Sequence, residues 1–353
     1  MIVVVMVAAC IVLVAISYLM LNVLSNMVIT PKTTVEVVER EGELFLPLEG
    51  VEVLSMQISA DGSYLACTLK EQGGGTVLRV LGLGAGGRTV FEQGIGGVRI
   101  AWLGSTASLA YEDAGDIWLL DVTSLTRSNL TASPELDSEP IPSPDGRYIL
   151  WTVASADSTG DEPAFWLMRA DGSEKGFLAK AQPLAVWDAS GGRVMSRRAT
   201  AISAGGESSR YFLETAVPGK PGWEQFVECE GEVTFIWWPS RDTVLYVGPV
   251  LVKEQDVVKG VWTRAEQPDK FKKVASTDGL GFERSHYLFY PSRTEEWLAY
   301  VGIMGLEYLD YGERVIYRYP DLEACTPLAW NEDAEQLFYI GPRGIYRVEA
   351  GGG

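Results

Sequence analysis

The sequence is short of the residues on which most enzyme chemistry depends. It holds one histidine, His286, and four cysteines, Cys10, Cys67, Cys229 and Cys325. There is no Cys-x-x-Cys pair and no His/Cys cluster, which excludes a structural zinc site of the usual spacing. No Gly-x-Ser-x-Gly elbow accompanies His286, so a serine-hydrolase triad lacks its nucleophile turn. His286 therefore reads as a strand or loop residue rather than a catalytic base. A Walker loop is missing too. The run Gly82-Leu83-Gly84-Ala85-Gly86-Gly87 precedes no helical pattern and reads as a loop between strands. Positive charge is scarce: 29 Lys and Arg stand against 47 Asp and Glu, a net charge of −18. A surface that acidic repels phosphate backbones, so nucleic acid is not an expected partner. Cys67, Cys229 and Cys325 are widely spaced and odd in number. No disulfide is demanded, and buried free thiols are the expectation.

Charge is also absent from the first 31 residues; Lys32 is the first charged side chain. The apolar run Ile2–Leu24 is long enough to cross a hydrocarbon core of about 30 Å, which takes about 20 helical residues. A cleavable signal peptide needs a basic start and a small-residue cleavage site, and neither is present. Val7-Ala8-Ala9-Cys10 is similar to a lipoprotein box, but the apolar run continues well past Cys10. The expectation is a retained single-span anchor over residues 1–29, with the membrane as the first partner. Lys32 and Arg40 follow the span; read literally, the positive-inside rule puts the rest of the chain in the cytoplasm.

What the sequence does contain is repetition. Of its residues 47% are hydrophobic, 10% are aromatic and 38 are glycine, a composition suited to many short strands joined by turns. The clearest unit is Ile141-Pro142-Ser143-Pro144-Asp145-Gly146-Arg147-Tyr148-Ile149-Leu150-Trp151, a strand, a tight turn and a second strand. Pro presets φ, Asp bonds its own backbone, and Gly takes the left-handed position. Related copies begin near Leu54, Val98, Leu184, Val233, Tyr287 and Pro327. A period of about 40 to 50 residues implies a propeller or solenoid. Seven copies fill residues 51–353, with no amphipathic helix between them; the fourth is divergent, so six is the alternative count. The expected fold is all-β: a seven-bladed β-propeller of four-stranded antiparallel blades, preceded by one transmembrane helix. The last copy ends after its third strand. Residues 30–50 form a connector with two strand-like pieces, Val35–Val38 and Glu43–Pro47. One of them is expected to supply the missing outer strand beside Gly344–Val348 and so remove an exposed edge.

The turn Ser143-Pro144-Asp145-Gly146 and its relatives Ser59-Ala60-Asp61-Gly62, Pro239-Ser240-Arg241-Asp242, Pro291-Ser292-Arg293 and Asn331-Glu332-Asp333 resemble TolB-type propeller repeats. So do Trp166-Leu167-Met168-Arg169-Ala170-Asp171-Gly172 and the ending Asn129-Leu130-Thr131. The resemblance covers essentially all of residues 51–350 and departs from the pattern in the fourth copy; TolB itself is similar to a six-bladed ring with an extra domain, for which seven copies leave no room here. It implies a bacterial, extracytoplasmic, protein-binding scaffold, against the positive-inside reading.

No catalytic, cofactor-binding or metal-binding residue stands out. Acids are abundant, but no Asp-x-Asp-x-Asp spacing marks a calcium loop. Asn129-Leu130-Thr131 matches a glycosylation acceptor, although its place in the repeat accounts for it. Trp102, Trp118, Trp151, Trp166, Trp237, Trp262, Trp297 and Trp330 fall in strands, where packing between blades is their expected use. The expected function is a non-catalytic, membrane-anchored scaffold that binds a protein or envelope component. The alternative is a carbohydrate-active hydrolase or lyase using channel carboxylates, which needs two acids about 5–9.5 Å apart.

Overall fold

The computed structural model describes residues 36–48, 50–154, 163–182, 184–201 and 209–229, and between 233 and 349 chiefly the strands. The apolar run expected to form an anchor, and His286, Cys10 and Cys325, lie outside the described residues. Among the described residues no helix is long and apolar enough to cross a membrane, and the one helical element is a 3-10 turn at Leu83–Ala85, inside the glycine-rich loop.

Two short strands come first, β1 (Glu36–Glu39) and β2 (Glu43–Pro47). The described strands fall into seven sheets. Sheet 1 is Glu52–Ile58, Tyr64–Lys70, Thr76–Gly82 and Arg88–Ile95; sheet 2 is Ile100–Trp102, Ser108–Asp113, Asp116–Asp121 and Thr126–Asn129. Sheet 3 is Leu136–Pro142, Tyr148–Ala154, Ala164–Arg169 and Gly176–Lys180; sheet 4 is Val186–Trp187, Val194–Ala201, Ser209–Val217 and Lys220–Cys229. Sheet 5 is Phe235–Ser240, Thr243–Leu251, Val257–Ala265 and Phe271–Ser276. Sheet 6 is Leu288–Pro291, Trp297–Gly302, Gly305–Asp310 and Val315–Tyr319, and sheet 7 is Leu328–Trp330, Gln336–Gly341 and Gly344–Glu349, with β2 in the fourth place. Pairing within these four-strand sets is antiparallel wherever a register is defined.

The second strands are buried on both faces and read accordingly. Tyr148–Ala154 buries Ile149, Leu150, Trp151 and Thr152, and Tyr64–Lys70 buries Leu65 through Leu69. Such runs are near-continuously apolar because neighbouring sheets cover both sides. One core cluster joins Leu78 and Val80 of sheet 1 to Ile100, Leu109 and Leu120 of sheet 2. Another joins Leu150 and Phe165 of sheet 3 to Trp187 and Val194 of sheet 4.

The Ser-x-Asp-Gly turns are closed by side chains in the same way twice. Ser59 Oγ donates to Asp61 Oδ1 (2.6 Å) and accepts from Tyr64 N (2.9 Å). Ser143 Oγ donates to Asp145 Oδ1 (2.7 Å) and accepts from Tyr148 N (2.9 Å). Gly62 and Gly146 take φ of 68° and 71°, the left-handed region that only glycine adopts without cost. Sheet 4 lacks the Pro-Asp-Gly motif and substitutes Asp188, whose Oδ1 accepts from Gly192 N and Arg193 N.

Sheets touch in chain order. Trp102 Nε1 donates to Gln57 O (3.1 Å), binding sheet 2 to sheet 1, and Trp187 Nε1 donates to Ile141 O (2.8 Å), binding sheet 4 to sheet 3. In both seams the indole also stacks on the tyrosine that follows the turn, with centroids 6.1 Å apart for Tyr64–Trp102 and 6.4 Å for Tyr148–Trp187. First strands meet between sheets 2 and 3, 4 and 5, 5 and 6, and 7 and 1. Tyr319 of sheet 6 lies 6.2 Å from Tyr339 of sheet 7. The sheets therefore follow one another around a ring whose first strands lie innermost, the architecture of a β-propeller. Side chains of Trp237, Trp262, Trp297 and Trp330 lie outside the described residues.

Two features were not legible in the sequence. Gly305–Asp310 is a full strand that the sequence does not mark, and Val315–Tyr319 is the fourth strand of sheet 6. Both N-terminal strands are used: β2 pairs antiparallel with Gly344–Glu349, and β1 adds to sheet 6 as a fifth strand, parallel to Val315–Tyr319.

Candidate functional site: the loop face between sheets 2 and 3

The ring has two faces. One carries the Ser-x-Asp-Gly turns. The other, here the loop face, carries the approach to each first strand and the turn between second and third strands. On the turn face the sheets abut closely: a β-carbon at Gly104 would lie 2.9 Å from Gly146 N and 3.0 Å from Pro144 O.

On the loop face the described charges gather around Glu112, at the end of the second strand of sheet 2. Its side chain is buried. Oε2 accepts from Val98 N (3.2 Å) and Arg99 N (3.3 Å), and Oε1 accepts from Glu139 N (2.6 Å). One carboxylate thus ties the approach to sheet 2 to the first strand of sheet 3. Asp113 Oδ1 holds the same loop through Gly96 N (2.8 Å). A β-carbon at Gly97 would collide with the Glu112 side chain, so glycine is required for the close approach.

Glu139 has φ of 52° at a break in the register between Ser138 and Ile141. A left-handed non-glycine residue is held by its surroundings at a cost of about 1–2 kcal/mol, and here the Glu112 carboxylate does the holding. The Glu139 carboxylate faces outward, 3.9 Å from the Arg99 guanidinium, with side chains 53% and 62% exposed. Thr152 Oγ1 donates to it at 3.4 Å. Two apolar side chains at the starts of the same strands, Val98 and Leu136, are 37% and 52% exposed. The result is a small amphipathic patch around a buried structural acid.

The other acids of this seam are also occupied. Asp137, buried, accepts from Trp151 Nε1 (2.8 Å) and Ser133 Oγ (2.8 Å). Asp116 accepts from Asn129 Nδ2 (2.7 Å) and Ser133 N (3.1 Å). Asn129 Oδ1 in turn accepts from Thr131 N and Ala132 N, so the Asn-Leu-Thr motif is a turn device. Arg127 spans sheets 1 and 2, donating to Tyr111 Oη and Gln93 and lying 4.8 Å over the Trp118 ring. Among the described residues no group of three or more His, Cys, Asp or Glu side chains is placed to hold a metal ion. Cys67 is buried, and that burial pushes its thiol up to about 12, far from a reactive thiolate.

No protein-family model matches the sequence, and no curated protein matches it either. Solved structures do. The β-propeller domain of the Trilobed protease from Pyrococcus furiosus matches with a TM-score of 0.62 at 11% identity, over 86% of this chain and 96% of that one. The fold is a β-propeller. An oligogalacturonate lyase solved in complex with manganese matches with a TM-score of 0.60 at 10% identity, over 88% of this propeller and 98% of the lyase. A puromycin-hydrolysing peptidase from Mycobacterium tuberculosis matches with a TM-score of 0.60 at 11% identity, over 88% of the propeller. The chain spans 55% of that peptidase and 30% of the tricorn protease. A C-terminal WD40 domain, that of Sif2, matches with a TM-score of 0.50 at 13% identity. Identities this low speak to the fold alone.

Proposed function

We infer that the protein is a non-catalytic scaffold: a seven-bladed propeller, held at a membrane by residues 1–29 and facing away from the cytoplasm, that binds a protein or envelope component. The observation that carries this reading is the occupation of the seam acids. Glu112, Asp116 and Asp137 spend their oxygens on main-chain amides, an indole and hydroxyls, which is scaffold work. What they leave outward is Val98, Arg99, Leu136 and Glu139, apolar contact area beside a donor and an acceptor, the composition of a binding patch. Rigid sheets carrying exposed loops suit that role.

The test is site-specific photocrosslinking in the full-length protein in its native membrane. A photoreactive residue at Leu136 should give a discrete protein adduct that is absent when the residue is placed on the turn face at Leu125. A C-terminal reporter active only after export should be active.

A carbohydrate-active hydrolase or lyase is the second reading. The fold likeness over 98% of the oligogalacturonate lyase, and the exposed Arg99–Glu139 pair, favour it. It requires turnover of an acidic oligosaccharide that Glu139→Gln abolishes.

A further inference from the structure

The two N-terminal strands do different work. β2 completes sheet 7, which has only three other strands, and delivers Phe45 and Leu46 to the core cluster of Leu48, Met56, Phe338 and Ile345. β1 completes nothing, because sheet 6 already has four antiparallel strands. It covers the outer edge of Val315–Tyr319 through a parallel ladder of four pairs, from Glu36↔Val315 to Glu39↔Arg318. Parallel pairing is the weaker kind per residue, and Glu39 is exposed.

Between the two strands lie Arg40, Glu41 and Gly42. Arg40 moves with β1: its N–H donates to Arg318 O (2.9 Å) and its guanidinium sits 4.3 Å over the Tyr317 ring. Gly42 is pressed against the hydroxyl end of Tyr339, where any β-carbon would collide. Tyr339 cannot give way easily, since it is fully buried and stacked on Tyr346 with centroids 5.4 Å apart. The clasp therefore closes over a hinge at Glu41–Gly42 that only glycine fits.

We propose that the fifth-strand place on sheet 6 is an exchangeable strand-addition site whose occupant in trans is β1 of a second copy, giving a strand-swapped dimer hinged at Gly42. The seated segment itself defines the chemistry: an extended Glu-Val-Val-Glu strand, parallel to Val315–Tyr319. An edge that accepts a strand in cis accepts the same strand from a neighbour with the same bonds, and reciprocal exchange closes the pair with two-fold symmetry. β2 stays on its own ring, so each ring remains complete in the dimer. The two-residue link Glu41–Gly42 reaches at most about 7 Å, so the two rings meet rim to rim at sheets 6 and 7.

Register makes this testable in the full-length protein in detergent or nanodiscs. Glu39 and Arg318 are direct partners, and adjacent strands lie about 4.8 Å apart, within disulfide reach. Protein carrying Glu39→Cys is mixed with protein carrying Arg318→Cys under mild oxidation. The expected result is an intermolecular disulfide several-fold above a control mixture of Glu39→Cys with Thr126→Cys. A chain carrying both Glu39→Cys and Arg318→Cys reports the cis pairing. If that chain closes on itself while the mixture stays at the control level, the exchange is refuted. If it does not crosslink at all, β1 does not occupy this edge and the proposal also fails.

Discussion

Glu112→Ala isolates the part played by the acid at the centre of the loop face. The substitution strips acceptors from three amides. The bond from Glu139 N is short, 2.6 Å, and those from Val98 N and Arg99 N are longer, 3.2 and 3.3 Å. A hydrogen bond to a charged group contributes about 1.5–3 kcal/mol, and a long one nearer 0.5 kcal/mol. The three together come to about 3 kcal/mol. Part of this returns, because Glu139 is no longer held at φ 52° and can relax to extended backbone, recovering about 1 kcal/mol. The expected net loss is about 2 kcal/mol by urea unfolding. Hydrogen exchange should place the damage: the amides of Val98, Arg99 and Glu139 lose protection, while the core strand Tyr148–Ala154 keeps it. The same arithmetic predicts coupling. Glu139→Gly should stabilise the native protein modestly but add little in the Glu112→Ala background, a non-additivity of about 1 kcal/mol. A Glu112→Ala cost below about 0.5 kcal/mol, with unchanged exchange at the three amides, would refute the assignment of this acid to holding the seam.

Other consequences follow from the same geometry. Trp187→Phe keeps an aromatic ring against Tyr148 but deletes the bond to Ile141 O and part of the buried indole, so it should cost about 2 kcal/mol in urea unfolding, against about 3–5 kcal/mol for Trp187→Ala. Asp61 and Asp145 titrate below the usual carboxylate range: burial alone would raise them, but hydrogen bonds from Ser59 and Ser63, and from Ser143 and Arg147, outweigh it. Because folding lowers these values, their stabilisation is full above the unfolded value near about 3.9 and is lost as pH falls through the folded one. Asp61→Asn with Asp145→Asn should therefore lower stability at neutral pH and flatten its fall below about pH 4, read from urea midpoints across that window. Cys67, its thiol pushed up to about 12, should resist alkylation in the native protein at neutral pH and react after unfolding, as mapped by mass spectrometry.

What was legible in the sequence was local. Ser59-Ala60-Asp61-Gly62 and Ser143-Pro144-Asp145-Gly146 close through bonds spanning five residues or fewer, so motif and structure coincide. Trp102 read as a packing residue between blades and is that, with a bond to the preceding sheet added; Trp187, not singled out in the sequence, does the same for sheet 4. Gly305–Asp310 was hidden because Gly302-Ile303-Met304-Gly305 joins two strands in one unbroken apolar run, without a polar turn to mark the boundary. The place of β1 was hidden for a different reason. Its partner strand lies at the far end of the chain, and Glu-Val-Val-Glu carries no signal of which edge it covers. Glu112 was indistinguishable from any other acid, since its three donors come from a loop and from the next sheet.

Photocrosslinking from Leu136 in the full-length protein in its own membrane separates the scaffold from the catalytic reading. The scaffold reading predicts one dominant protein adduct, lost on moving the probe to Leu125 and weakened by Arg99→Ala. The absence of a specific adduct at Leu136, together with turnover of an acidic oligosaccharide that Glu139→Gln abolishes, would contradict it and establish the catalytic reading in its place.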